Sequence, residues 1–267
     1  MSDTDRHFLE LHTSERPLLI PNPWDLGSAR LLAWLGFKAL ATTSSGLAAA
    51  LGRVDGEVGR EAAIGHAAAV GEATGLPVNG DFENCYSDDP EGVAETVALA
   101  REAGIAGCSV EDWSGSEIYE RGLAVGRVAA ASEAAHAGGA AFVLTARAEN
   151  HIRGGTDLDD TIERLHAYQD AGADVLYAPG LRTIDEIRAV LDAVERPLNV
   201  LALPGVPPVA ELAEAGVSRV SVGGAFAFAA YGSLIEAAEE LRDAGTYGYF
   251  ERARRGQGVR DAFGAGR

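Results

Sequence analysis

Short apolar runs alternate with longer Ala-rich segments along most of this chain. The runs are RPLLIPNP (16–23), KALATT (38–43), LPVNGD (76–81), IAGCSVED (105–112), AAFVLTAR (140–147), ADVLYAP (173–179), RPLNVL (196–201) and VSRVSV (217–222). Six of them follow a junction in which a helix-like segment ends at glycine: Gly36, Gly75, Gly104, Gly138-Gly139, Gly172 and Gly216. Glycine just past a helix end takes the left-handed conformation that other residues resist. Apolar runs fed by helices read as buried parallel strands. The pattern therefore predicts eight strands joined by helical segments, among them 61–73, 90–102, 157–170 and 183–194, with a last helix over about 226–243.

Eight βα units in one unit mean a closed barrel or a large open sheet. A doubly wound sheet needs a Gly-rich phosphate turn after its first strand. Here that position reads Pro21-Asn22-Pro23-Trp24-Asp25. The expected fold is a single-domain (β/α)₈ TIM-type barrel spanning 1–267. Residues 244–267 exceed what the eighth helix requires. With Tyr247, Tyr249, Phe250 and Phe263 they form a C-terminal helical tail expected to pack on a neighbouring subunit.

The length of 267 residues suits one such barrel, and 47% hydrophobic residues suffice for its core. Acids outnumber bases by 40 to 22, for a formal charge of −18, which disfavours nucleic acid and anionic membranes as partners. There is no basic-then-apolar secretory leader and no apolar stretch long enough for a membrane span, so a cytoplasmic location is expected. Cys85 and Cys108 are too few for a disulfide framework.

In barrels of this type the chemistry sits at the C-terminal ends of the strands. Strand 2 ends in Thr42-Thr43-Ser44-Ser45-Gly46-Leu47, and its loop carries Arg53, Asp55 and Glu57. Strand 3 ends in Asp81-Phe82-Glu83-Asn84, strand 4 in Glu111-Asp112, and strand 5 in Arg147 followed by Glu149. Carboxylates crowded at one mouth repel one another, and their pKa values rise unless a cation or shared proton relieves them. A hard divalent ion is the natural solution; Mg²⁺ usually takes one or two carboxylates and keeps several waters. Asp55, Asp81, Glu83 and Glu111 are the candidate metal residues, although any one of them could simply cap a helix. Arg147 can fork a substrate carboxylate or pair with Glu111 or Glu149. Ser44, Ser45, Gly46 and Leu47 read as a small-residue turn whose N–H groups could cradle an anion. Cys85 at the strand 3 mouth reads as a neutral thiol among acids, and Cys108 as core. His151 and Tyr86 are loop residues near the mouth. Gly223-Gly224 could be a phosphate turn or plain helix-start geometry.

In these segments the chain resembles the isocitrate lyase / phosphoenolpyruvate mutase superfamily, from about residue 18 to residue 241. The resemblance is carried by PNPWDLGSARLLAWLGFKAL (21–40), TTSSGLAAALGRVDG (42–56), LPVNGDFEN (76–84), GCSVED (107–112) and LTARAE (144–149). It implies a (β/α)₈ barrel, often with the last helix exchanged between subunits, in homodimers or homotetramers. It implies Mg²⁺, or alternatively Mn²⁺, chelated by a small 2-oxo or dicarboxylic acid or its enolate. By position, Asp81 would be the direct metal ligand, and Asp55, Glu83 and Glu111 would hold the ion's waters. Ser45, Gly46 and Leu47 would bind the substrate carboxylate. Arg147 would stabilise the enolate oxygen, with Glu111 beside it in a candidate catalytic pair. The chain lacks the Lys-Lys/Arg-Cys-Gly-His loop of the isocitrate and methylisocitrate lyases. Its loop after strand 4, residues 113–119, carries no lysine, unlike that of the mutases and phosphonate hydrolases, and the usual glycine after the metal segment is Cys85. The implied activity is a Mg²⁺-dependent carbon–carbon lyase or decarboxylase. A phosphonate mutase or hydrolase, or a non-catalytic 2-oxo-acid-binding barrel, are the alternatives.

Overall fold

The computed structural model describes residues 3–264. Eight strands, β1 (Leu18–Ile20), β2 (Leu40–Ala41), β3 (Val78–Asp81), β4 (Gly107–Glu111), β5 (Val143–Arg147), β6 (Val175–Tyr177), β7 (Leu198–Leu201) and β8 (Arg219–Ser221), match the eight apolar runs. All paired neighbours are parallel, in the order β1-β8-β7-β6-β5-β4-β3-β2. The remaining seam, between β1 and β2, is bridged by the Ala41 N–H donating to the Pro21 carbonyl at 3.1 Å. Asn22 clasps the same seam: its Nδ2 donates to the Thr42 carbonyl at 2.9 Å, and its Oδ1 accepts the Val222 and Gly223 N–H groups at 3.0 and 2.9 Å. Those two donors are thus committed, and Gly223-Gly224 is helix-start geometry rather than an open phosphate turn.

The intervening helices are α2 (Leu26–Trp34), α3 (Ser44–Ala50), α4 (Arg60–Thr74), α5 (Pro90–Glu102), α6 (Arg121–His136), α7 (Leu158–Asp170), α8 (Ile184–Ala193), α9 (Val209–Ala215) and α10 (Ala225–Glu239). Their ends follow the local chemistry. Thr183 and Glu186 form a capping box on α8. Gly75 and Gly216 close α4 and α9 in the left-handed conformation, with φ of 69° and 99°. Helix faces and the outward side of the strands share one large apolar core, which includes Val93, Val97, Leu144, Leu165, Tyr168, Leu176 and Ile187.

Two helices were not legible as such. The segment read as a Ser-Gly turn is the start of α3, capped by Thr43, whose Oγ1 accepts the Gly46 N–H. Ahead of β1 lies α1 (Asp3–Leu11), which plugs the N-terminal end of the barrel. Its Phe8 is fully buried against Leu18, Ile20, Ala39, Ala41, Val143 and Val175. Gly107 makes room for that plug: a Cβ there would stand 3.0 Å from the Phe8 ring. Beyond α10, α11 (Phe250–Arg255) and α12 (Gly258–Gly264) form the tail. The end of the tail returns to its own chain, with Phe263 near Gly27 and Gly258 near Trp34 of α2. The aromatic stretch before it, including Tyr247 and Phe250, is exposed. Among the described residues, no helix is long and apolar enough to cross a membrane.

Above the plug the barrel interior turns polar. Arg219 is buried and donates to Asn199 Oδ1 at 2.9 Å, Thr145 Oγ1 at 3.1 Å and His12 Nε2 at 3.2 Å. His12 Nδ1–H donates to the Phe8 carbonyl at 2.8 Å, so the ring is neutral. Burial, and then the Arg219 charge, hold its pKa down at about 3 against a usual 6.5. The unfolded chain takes up this proton below pH 6.5 and the folded chain refuses it until about 3. Stability from this group is therefore complete above pH 6.5 and lost as pH falls through that window, by at most about 1.4 kcal/mol per pH unit. Urea titrations at several pH values between 4 and 7.5 check this: His12→Gln is expected to flatten the acid limb, and an unchanged slope contradicts the assignment.

Candidate active site at the C-terminal mouth

Strand alternation sends Asn79 and Asp81 of β3, Ser109 and Glu111 of β4, and Thr145 and Arg147 of β5 to one face, because successive side chains point to opposite sides. Parallel register sets Asp81 beside Ser109 and Glu111 beside Arg147. Arg147 Nη1 lies 2.8 Å from Glu111 Oε1 and 3.7 Å from Asp81 Oδ1, and its Nε contacts Glu149 closely. The guanidinium also lies over the Tyr177 ring, 5.1 Å from its centroid. Both pairings weighed for Arg147 are therefore present at once, and Asp81 is a third acid at the same cation.

Asp81 Oδ2 accepts the Ser44 N–H at 2.9 Å, and its Oδ1 accepts Ser109 Oγ at 3.4 Å. Glu83 reaches the mouth by another route. It lies beyond the strand with φ of 51°, and Cys85 and Tyr86 follow at 58°. Such angles in residues other than glycine cost roughly 1–3 kcal/mol each and cluster where function demands a shape. Cys85 occupies a backbone geometry that suits glycine, the residue usual at this point of the resembling sequences. Its thiol is buried in the barrel wall, 3.9 Å from the Ser109 carbonyl, rather than facing the mouth. The strained segment is anchored by the buried Arg127, which donates to the carbonyls of Ser87 at 3.0 Å and Glu111 at 2.8 Å, and stacks on Tyr119.

The mouth is a cavity of about 840 Å³ whose lining includes Ser44, Asp55, Glu57, Glu83, Tyr86, Glu111, Trp113, Arg147 and Arg153. Asp55 is exposed on its loop. Ser45, Gly46 and Leu47 lie behind this lining. The Gly46 and Leu47 N–H groups are already given to Thr43, and both residues are buried. Gly46 admits no side chain, since a Cβ would stand 2.5 Å from Thr43 and 3.0 Å from Trp24. A small inner chamber, lined by Asn22, Asn79, Ser109, Tyr177, Asn199 and Arg219 among others, continues below Asp81 and Arg147.

Burial, more than crowding, sets the electrostatics of the mouth. Burial, then the Asp81 and Asp55 charges, push Glu83 up to about 7, against the pull of Arg147. Burial pushes Glu111 well above the ordinary carboxylate range; Arg147 opposes this, while Glu149 and Asp81 add to it. Burial and the Glu83 and Asp81 charges raise Tyr86 too, so its phenol stays protonated. Burial works against the charge on Arg147, but Glu111 and Glu149 hold it firmly protonated.

Among the described residues, no three His, Cys, Asp or Glu side chains form a ready-made metal cage. Glu83 Oε1 is buried without a hydrogen-bond partner, and an orphaned oxygen beside Asp81 fits a water-bearing cation. Asp81, Glu83 and Glu111 are therefore compatible with a hard divalent ion.

Several supporting residues were not legible. Asp112 turns away from the mouth and rivets it from behind: it accepts the Glu149 N–H at 2.7 Å, Tyr168 Oη at 2.6 Å and Arg164 Nη1 at 3.1 Å. Glu149 itself is wholly buried between Arg147 and Arg153. His151 hydrogen-bonds Thr161 on α7 rather than facing the mouth.

Comparison with known proteins supplies context for this geometry. A family model described as phosphoenolpyruvate phosphomutase matches residues 8–242. A crystal structure provisionally described as a lyase/mutase from Burkholderia cenocepacia J2315 is 50% identical, superposes with a TM-score of 0.95, and covers 98% of this chain and 97% of its own. Oxaloacetate acetylhydrolase in complex with the product oxalate is 26% identical with a TM-score of 0.83, covering 98% of each chain. The oxaloacetate decarboxylase of Chromohalobacter salexigens is 26% identical over 90% of this chain and 86% of its own.

Proposed function

The chain belongs to the phosphoenolpyruvate phosphomutase family, and from that premise we propose that it is a Mg²⁺-dependent carbon–carbon lyase or decarboxylase acting on a small 2-oxo or 2-hydroxy carboxylic acid through an enolate. The observation that carries the reading is the convergence of Asp81, Glu83, Glu111 and Arg147 at one barrel mouth. A relative named for oxaloacetate decarboxylation and another holding the product oxalate support it. A bound divalent cation would offset the carboxylate charge and act as a Lewis acid toward the oxo group. Asp81 would be its direct ligand, and Glu83, Glu111 and the loop residue Asp55 would hold its waters. Ser44, which lines the mouth, is assigned to the substrate carboxylate, with Ser45, Gly46 and Leu47 forming the helix start behind it. Arg147 donates to the oxygen that becomes anionic, where a preorganised donor acts most strongly. Tyr86 is the proton-bearing hydroxyl of the mouth.

The sequence favours this over phosphorus–carbon chemistry. Its one lysine, Lys38, stands just before β2, at the opposite end of the barrel from the mouth. Calorimetry with oxalate, with and without Mg²⁺, tests the site, and product release from a panel of 2-oxo and 2-hydroxy acids, with and without EDTA, tests the reaction. Oxalate binding only with Mg²⁺, joined to EDTA-sensitive turnover, is the expected pair of results. Binding without turnover of any such acid favours the non-catalytic barrel, and oxalate binding equally well in EDTA removes the metal from the scheme.

We further propose a homo-oligomer built on α10, in which that helix packs on a neighbouring subunit. α10 buries only Ala227, while Phe228, Leu234 and Ile235 are 54%, 63% and 58% exposed, an apolar face that asks for cover. Light scattering at micromolar concentration is expected to give a dimer or tetramer. Leu234→Asp combined with Ile235→Asp, or removal of residues 246–267, should reduce its size or solubility. A strictly monomeric full-length protein refutes the assembly.

A further inference from the structure

Two arginines line the mouth, and they differ in what they have left to offer. Arg147 sits in the wall, its side chain 17% exposed, with Nη1 and Nε committed to Glu111 and Glu149. Arg153 is 41% exposed, and both its Nε and its Nη2 go to one oxygen, Oε2 of Glu149, at 3.0 Å. Among the described residues, Nη1 of its guanidinium fork meets no protein acceptor.

This side chain is held in place despite its exposure. Glu149 grips it from one side. Trp113, on the loop after β4, offers its ring as a second contact, with the centroid 4.5 Å from the guanidinium carbon. The loop that presents it is tied down as well. The Arg153 N–H donates to the Glu149 carbonyl at 3.0 Å, and the Gly155 N–H to the Asn150 carbonyl at 2.8 Å. Asn150 and His151 are fastened to Thr161 on α7 at 2.7 and 2.9 Å. A guanidinium fixed on two sides with part of its fork free is a preorganised receptor for an oxyanion.

Its surroundings make that role necessary for one kind of substrate. Asp55 and Glu57 line the same cavity, so a second negative group on a substrate is best received beside Arg153, the lining cation with donors to spare. Because the two arginines share the two oxygens of Glu149, their guanidinium groups stand one carboxylate apart. A short-chain diacid spans such a gap, with its oxo-acid head at Asp81 and Arg147.

We propose that Arg153 is the specificity-determining residue that receives a second anionic group at the far end of the substrate, so that the preferred substrates are dicarboxylic 2-oxo or 2-hydroxy acids. This rests on the proposed function, in that it takes the head of the substrate to lie at Asp81 and Arg147. Trp113 and Glu149 hold the guanidinium at the cavity, and Glu149 couples the head and tail cations through one buried carboxylate.

The test compares three ligands in the presence of Mg²⁺ by calorimetry: oxalate as a probe of the head alone, and malate against lactate as a pair differing by the far carboxylate. Wild type should bind malate at least about tenfold more tightly than lactate, the scale of one hydrogen-bonded charge pair. In Arg153→Gln that ratio should collapse toward one while oxalate affinity stays within about threefold. Arg153→Lys should restore part of the ratio through its charge. Oxalate failing to bind wild type overturns the proposed function and this inference with it. Oxalate binding normally while the malate-to-lactate ratio is the same in wild type and Arg153→Gln overturns only the role of Arg153. Equal weakening of all three ligands in Arg153→Gln overturns it too, since a merely structural clamp between the loops would act on all alike.

Discussion

Asp81→Ala is expected to abolish Mg²⁺-dependent turnover, by on the order of 1000-fold or about 4 kcal/mol of barrier. Asp81 closes β3 at the junction of three other groups: it takes the Ser44 N–H, faces Ser109, and lies 3.7 Å from Arg147. Its replacement by alanine removes a charge and an acceptor together, so a second variant separates the two. Asp81→Asn keeps an oxygen for Ser44 and loses only the charge. If the carboxylate holds a cation, both variants should lose the gain in melting temperature that Mg²⁺ confers on wild type, because a ligand bound only to the folded state stabilises it. If Asp81 merely fastens α3 to β3, Asp81→Asn should resemble wild type. Full activity of wild type in EDTA, or a normal Mg²⁺ response in Asp81→Asn, would sink the metal assignment.

The strands and their order were legible because six of the eight apolar runs follow a glycine that stops the preceding helix, and because each run is short and fed by a helix-like segment. Side-chain facing was legible for the same reason: Asp81, Glu111 and Arg147 each sit at a strand end, where a period of two decides the direction. Beyond the strand ends that rule fails. Glu83 enters the mouth only through left-handed backbone in residues other than glycine, which nothing local prescribes. The Ser44–Ala50 segment disguises a helix behind Ser-Ser-Gly, and α1, although amphipathic, is only nine residues long, too short to stand out as an element by itself. What fixes α1 is burial of Phe8 under the barrel, a contact made by tertiary structure alone. The supports of the mouth were hidden for a related reason. Asp112 reaches Arg164 and Tyr168 across 52 and 56 residues, and Arg127 reaches Ser87 across 40. Pairings at such separations leave no periodicity in the chain.

Arg147→Met is expected to destabilise the protein by about 3–5 kcal/mol near neutral pH, the scale for removing one partner from a buried ion pair. The reason is the charge left behind. Glu111 and Glu149 are 5% and 0% exposed, and Arg147 lies against both. Glu149 retains Arg153, but the Glu111 carboxylate loses its ion-pair partner and is left facing Asp81, with only Arg153 still drawing its pKa down. Burial already lifts Glu111 well above its ordinary pKa, with Arg147 as the first group opposing that rise, so the variant should drive it higher. A carboxyl whose folded pKa is raised contributes stability below its unfolded pKa and loses it as pH climbs. The deficit of Arg147→Met should therefore be greatest at neutral and alkaline pH and shrink as pH falls toward about 4.5, where the free carboxyl also takes its proton. Two measurements check this. Denaturant titrations across pH should show the gap between wild type and variant narrowing with acid. The double variant Arg147→Met with Glu111→Gln should recover part of the loss at pH 7.5, because the uncompensated charge is gone while the hydrogen-bonding shape remains. Additive losses in the double variant, or a gap that widens with acid, would show that Arg147 matters for its packing on Tyr177 and not as the counter-charge of the mouth.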